Sequence, residues 1–131
     1  TMEVFQAEDV IGHNHRIGQQ VIDGIQVLHD AAGLTHAIDL YANPWLLACG
    51  FKDEEGEAST GLRTLMLQEM IGRGVLYQGL LVPSYSHTEQ DAAFFLEAYE
   101  ASLQVYKEAL HHGWEKYLVG PPAKPVFRKY L

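Results

Sequence analysis

A single cysteine, Cys49, stands in 131 residues, so no disulfide can form within the chain. The fold must be held by its core rather than by staples, and a reducing, cytoplasmic setting is the expectation. Basic residues are also scarce: 9 Lys and Arg face 17 Asp and Glu, for a net charge of −8. That balance argues against nucleic acid as a partner, because a phosphate backbone needs a basic footprint. No apolar run approaches the ~20 residues of a membrane span, so no membrane partner is expected. Thr1-Met2-Glu3-Val4-Phe5 has neither the basic nor the apolar region of a signal peptide. There is no Gly-x-Ser-x-Gly nucleophile elbow, no glycine-rich phosphate loop and no calcium-loop spacing. Internal repeats and low-complexity segments are missing too.

What is present reads as globular: 47% hydrophobic and 20% charged residues. Glu8 to Ala32 has the spacing of a long helix, with Val10, Ile17, Val21, Ile25 and Leu28 on one stripe. Gly12, Gly18 and Gly24 each weaken an isolated helix, which predicts close packing there. Gly33 is placed to end it. Thr35 to Leu40 and Trp45 to Lys52 read as strands around an Asn43-Pro44 turn. The second is almost wholly apolar, as suits a central strand buried on both faces. Cys49 would then be an inert core thiol. Asp53 to Ser59 is an acidic, solvated loop.

Ser59 or Thr60 caps a helix to about Gly72, its inner face made of Leu62, Leu65, Met66 and Met70. Val75-Leu76-Tyr77 and Leu80 to Ser84 read as two short strands. Ser86-His87-Thr88 then turns into the last long helix, with Thr88 as N-cap and Asp91 completing a shortened capping box. Ala92, Phe95, Leu96, Tyr99, Leu103, Tyr106 and Leu110 recur at helical spacing along it. His111-His112-Gly113 closes it, and Trp114 to Leu118 adds a turn. Pro121, Pro122 and Pro125 force an extended tail with Phe127, Tyr130 and Leu131 as its anchors.

The expected fold class is α+β, a small antiparallel or mixed sheet of about four strands covered on one face by three helices. The other sheet face is then solvated or covered by something outside this chain.

Two histidine patterns invite chemistry. His13 and His15 lie two apart on a helix and point in different directions, so one ion cannot easily take both. They read as solvent-exposed or partner-facing. His87 beside Ser84 and Ser86 invites a hydrolase reading, but no acid partner is visible, and a structural hydrogen bond is the plainer role. Tyr85 alternates with Ser84 and Ser86 and so reads as a core residue of the strand.

Gly74-Val75-Leu76 followed by Ser86-His87-Thr88-Glu89-Gln90-Asp91 resembles the end of class III pyridoxal-phosphate (PLP) aminotransferases, closest to the glutamate-1-semialdehyde aminomutase branch. The tail Gly120-Pro121-Pro122-Ala123-Lys124-Pro125-Val126-Phe127-Arg128 is similar to tails of that branch. The likeness covers the chain from about Glu8 onward and rests on the order and separation of these motifs. It implies that residues 8–118 form the C-terminal small domain of such an enzyme. Residues 1–7 would link to an upstream PLP-binding domain, and 119–131 would be the proline-rich tail. It implies a homodimeric parent acting on amino-acid or amine and keto substrates, with PLP as cofactor.

None of Lys52, Lys107, Lys116, Lys124 and Lys129 matches the family's Schiff-base context. The resemblance therefore assigns no cofactor-binding, catalytic or metal residue to this chain, which by itself would be inactive. Instead Ser84, Tyr85, Ser86 and His87 would line one wall of the substrate cleft. Many class III relatives carry a carboxylate-binding Arg at the position of Ser84; the aminomutase branch lacks it, as this chain does. A free-standing α+β small-molecule-binding or regulatory module is the competing expectation.

Overall fold

The computed structural model describes residues 2–77 and 79–122. Its elements run in the order α1 (Met2–Ala7), α2 (Val10–Ala32), β1 (Ile38–Asn43), β2 (Leu46–Phe51), α3 (Thr60–Gly72), β3 (Leu80–Leu81) and α4 (Glu89–His112), closed by a 3-10 turn at Trp114–Lys116. The α+β expectation holds, with a sheet of three antiparallel strands in the order β1-β2-β3 rather than about four.

The missing strand is Val75-Leu76-Tyr77. It forms no ladder and instead carries the chain away from α3, with Leu76 exposed and Tyr77 buried edge-on to Phe95 and Tyr99. β3 is also shorter than expected, ending before Pro83, which has no N–H to give a ladder. The long first helix begins later than its pattern suggests. Asp9 interrupts it as an N-cap, its carboxylate accepting from the Gly12 N–H at 3.1 Å, and residues 2–7, expected as a link, form the separate α1.

β2 is central, yet it is buried on one face only. Leu47 and Phe51 point into the core with Ile38, and Cys49 packs against them. The register places Asp39 opposite Gly50, Tyr41 opposite Ala48 and Asn43 opposite Leu46 on the other face. That face is open: Tyr41 is 59%, Leu46 39% and Leu80 48% exposed. The expectation of a strand covered on both sides is therefore corrected for the chain as it stands.

Helices α2, α3 and α4 cover the inner face. Leu62, Leu65, Met66 and Met70 of α3 are all buried, each removal from water contributing roughly 1.5–3 kcal/mol. On α4, Ala92, Phe95, Tyr99, Leu103 and Tyr106 form the inner stripe, while Leu96 and Leu110 lie half-buried at its edges. The Tyr106 hydroxyl donates to the Lys52 carbonyl at 2.6 Å, tying α4 to the end of β2.

The glycines of α2 are contact points. A side chain at Gly18 would overlap the backbone carbonyl of Pro44 in the β1–β2 turn, and one at Gly24 would overlap the methyls of Leu96. α2 thereby seats on the hairpin and on α4. The two helices run side by side in the same direction, since Gln20 meets Glu89 and His29 meets Tyr99. The expected tail anchors Phe127, Tyr130 and Leu131 lie outside the described residues.

Candidate functional site

The residues singled out in sequence sit on one tight turn. Two residues beyond β3, the chain reverses at Ser84–His87, with the His87 N–H donating to the Ser84 carbonyl at 3.1 Å. The Ser84 N–H returns the link, donating to Nδ1 of His87 at 3.0 Å. Nδ1 therefore carries no proton in this arrangement, and His87 acts as an acceptor that closes its own turn. Tyr85 and Ser86 occupy the exposed apex. The expectation of Tyr85 as a core strand residue is corrected: it is part of a turn, and its ring faces α2.

Two groups from the start of the chain reach this turn. Nε2 of His13 lies 2.6 Å from the His87 carbonyl oxygen. A carbonyl only accepts, so His13 carries its proton on Nε2. The His13 ring also meets Tyr85 edge-on at 5.1 Å between centroids. Glu8 accepts from the Tyr85 hydroxyl at 3.2 Å. Loss of solvent and then the neighbouring Glu8 carboxylate push the Tyr85 phenol above its ordinary range.

Sequence reasoning gave His13 to solvent or to a partner, yet it is half-buried and faces the chain's own last turn. A contact between residues 74 positions apart leaves no trace in local spacing. His15 is exposed, its ring tilted against Trp45 at 5.6 Å. The two histidines thus serve different neighbours, and no group of three or more metal-ligating side chains occurs among the described residues. Beside them on α2, Oδ1 of Asn14 is buried without a hydrogen-bond partner.

Below the turn, α4 begins with the capping box its sequence suggests. The Thr88 hydroxyl accepts from the Asp91 N–H at 3.2 Å, and the Asp91 carboxylate accepts from the Thr88 N–H at 2.8 Å. These bonds from Thr88, backbone first, hold the Asp91 carboxyl below its usual range. Between the turn, α2 and the passage after α3 lies a cavity of about 310 Å³. Its walls are mainly apolar, including Ile17, Val21, Leu81 and Phe95, with His87 and Asp91 as polar groups.

A hydrolase would need Ser84 activated by His87. Their side chains are 3.5 Å apart, at the outer limit of a hydrogen bond, while the Ser84 backbone N–H already holds the same nitrogen at 3.0 Å. The closer donor wins the single lone pair, and Ser84 is left without a base.

PLP needs a lysine to hold it and a cluster of donors for its phosphate. Lys52 is engaged with Asp39 at 3.0 Å on the open sheet face. The N-terminus of α4, where an anion would sit, is closed by the Asp91 carboxylate. Neither Lys52 nor the start of α4 fits the cofactor.

A second polar cluster, missed in sequence, lies inside the core. His29 is 4% exposed and its Nε2 meets the Tyr99 hydroxyl at 2.8 Å. Tyr99 in turn lies 3.7 Å from the Cys49 sulfur. Burial pushes the Cys49 thiol up, against weaker opposing hydrogen bonds to Tyr77 and Tyr99, so it is not a ready nucleophile. The signal for His29 was its place on the α2 stripe one residue after Leu28, which turns out to be the less buried of the two.

Compared with known protein families, characterised proteins and solved structures, the chain gives no match.

Proposed function

We propose that this chain is the C-terminal small domain of a class III PLP-dependent aminotransferase or aminomutase, and that its Ser84–His87 turn forms part of one wall of the parent's active-site cleft. The observation that supports the reading is the open face of the sheet, whose exposed apolar side chains lie beside the Asp39–Lys52 ion pair. Tyr41, Leu46 and Leu80 stand on it around the small residues Ala48 and Gly50. A sheet face of this composition suits burial against another layer, which a PLP-binding domain upstream would supply. β3 leads from that face into the turn, so docking there would bring Ser84, Tyr85, Ser86 and His87 to the boundary between the two domains.

In this reading the cofactor and its lysine belong to the upstream domain, and amino-group transfer is an activity of the whole protein. The turn is built for rigidity rather than proton transfer. His87 holds Ser84, His13 holds His87, and Glu8 holds Tyr85. Its contribution is the shape of the wall, with the hydroxyls of Ser84 and Ser86 offered to a polar substrate.

A second reading, a free-standing small-molecule-binding module, is favoured by the cavity of about 310 Å³ behind the turn. One experiment separates the two. The protein is isolated from its source, its intact mass measured and its visible absorbance recorded before and after borohydride. The first reading expects a mass several times 14.7 kDa and a yellow chromophore that borohydride bleaches. A colourless protein near 14.7 kDa would sink it and leave the binding module.

A further inference from the structure

We propose that the outer groove between α2 and α4 is a docking site for a cationic amphipathic helix of a partner protein. The groove lies on the side of these helices turned away from the core. Gly24, Val27, Leu28 and Leu96 make its floor, and Asp23, Glu97 and Glu100 its rim. The floor is open to solvent, with Val27 65% exposed.

The charge pattern selects the occupant. Among the described residues, three carboxylates border the groove and no Lys, Arg or His lines it. Asp23 stands on one side, and Glu97 and Glu100 on the other. A ligand with an apolar ridge flanked by cations on both sides would match floor and rim together. A second copy of this acidic chain would bring carboxylate rims face to face, which disfavours self-association there.

The shape selects a helix. α2 and α4 run side by side in the same direction, and such a pair presents a furrow that a third helix fills by ridge-into-groove packing. From Ala93 to Glu100 the furrow is about 10 Å long at the helical rise, so two turns of a partner would lie in it. Leu96 rests on the bare backbone of Gly24, which keeps the floor low. The groove is on the helical side and the open sheet face on the other, so this proposal does not depend on the domain reading above.

The test uses the full chain, isotopically labelled for NMR, and a synthetic peptide of roughly 14 residues made of Leu and Lys, with leucines on one helical face. A peptide of the same composition with its leucines spread around the helix is the control. The proposal expects the faced peptide to bind about tenfold tighter than the control, with amide shifts concentrated at residues 23–28 and 93–100. Binding should weaken with salt and fall at least about tenfold in Glu97→Lys/Glu100→Lys. Glu97→Gln/Glu100→Gln should give an intermediate loss, and its melting curve shows whether the fold is intact. Val27→Asn should weaken the faced peptide and leave the control unchanged. Equal binding of both peptides, shifts centred elsewhere, or dimerisation of the chain through this groove would each overturn it.

Discussion

Nε2 of His13 lies 2.6 Å from the carbonyl oxygen of His87, joining the first turn of α2 to the reversal before α4. Together with the bond from Tyr85 to Glu8, this hydrogen bond ties the exit of β3 to the start of the chain. His87 could not hold its turn in the same place if α2 began elsewhere. Asp9, by capping α2 where it does, sets the position of His13.

Replacing His13 therefore tests how the turn is held. His13→Ala should cost about 1 kcal/mol of stability, the usual worth of one partly buried hydrogen bond with its ring contact. His13→Gln, which keeps a donor, should recover part of that loss. Urea unfolding of the three proteins checks both, and equal midpoints would show that the bond contributes nothing.

The buried His29 should make stability fall in acid. Burial lowers its pKa below the usual 6.5, with the Asp30 carboxylate opposing in part. The unfolded chain then takes up a proton before the folded chain does. The stability gained from a neutral His29 is whole above about pH 6.5 and is lost as the pH falls through the lowered folded value. His29→Gln should flatten the dependence of the melting temperature on pH between about 7.5 and 5.5. An unchanged slope would assign the effect to other groups.

The cap of α4 acts in a lower window. Thr88→Ala should cost about 1 kcal/mol at neutral pH by removing the side-chain half of the capping box. Asp91→Asn should remove stability that is present above the ordinary carboxyl value and lost as the pH falls through the lowered one. Since the two side chains share one network, the double variant should lose less than the sum. Denaturant melts at neutral and acid pH measure all three.

Two glycine substitutions should differ in their effect on stability. Ala at Gly18 gains roughly 1 kcal/mol of helix propensity, but its methyl would overlap the Pro44 carbonyl, and such overpacking costs about 1–3 kcal/mol. The net effect should be destabilising. Ala at Gly72 meets nothing within 4 Å and should be neutral or stabilising by up to about 1 kcal/mol. Thermal melts that rank Gly18→Ala above Gly72→Ala would contradict this packing of α2 on the hairpin.

Much of the fold is legible because its signals are local. The heptad-like run from Ala92 to Tyr106, the Thr88–Asp91 box and the Asn43-Pro44 turn depend on neighbours within a few residues. They appear as expected. The strand at Val75–Tyr77 failed because a short apolar run does not reveal whether a partner edge exists. Here Tyr77 is drawn into the core by Phe95 and Tyr99 instead. The candidate site was legible only in part. The sequence marked Ser84 to His87 as a turn before a helix, but it could not show that His13 and Glu8 would arrive there from the other end of the chain.

The amino-acid sequence by itself determined the class of fold, the long helices and the cap of α4, because periodicity and capping act over one or two turns. Tertiary structure alone decided which histidine is buried, which face of β2 stays open and what holds the Ser84–His87 turn. Those outcomes depend on contacts between residues such as 29 and 99 or 13 and 87, which become neighbours only when α2 packs along α4.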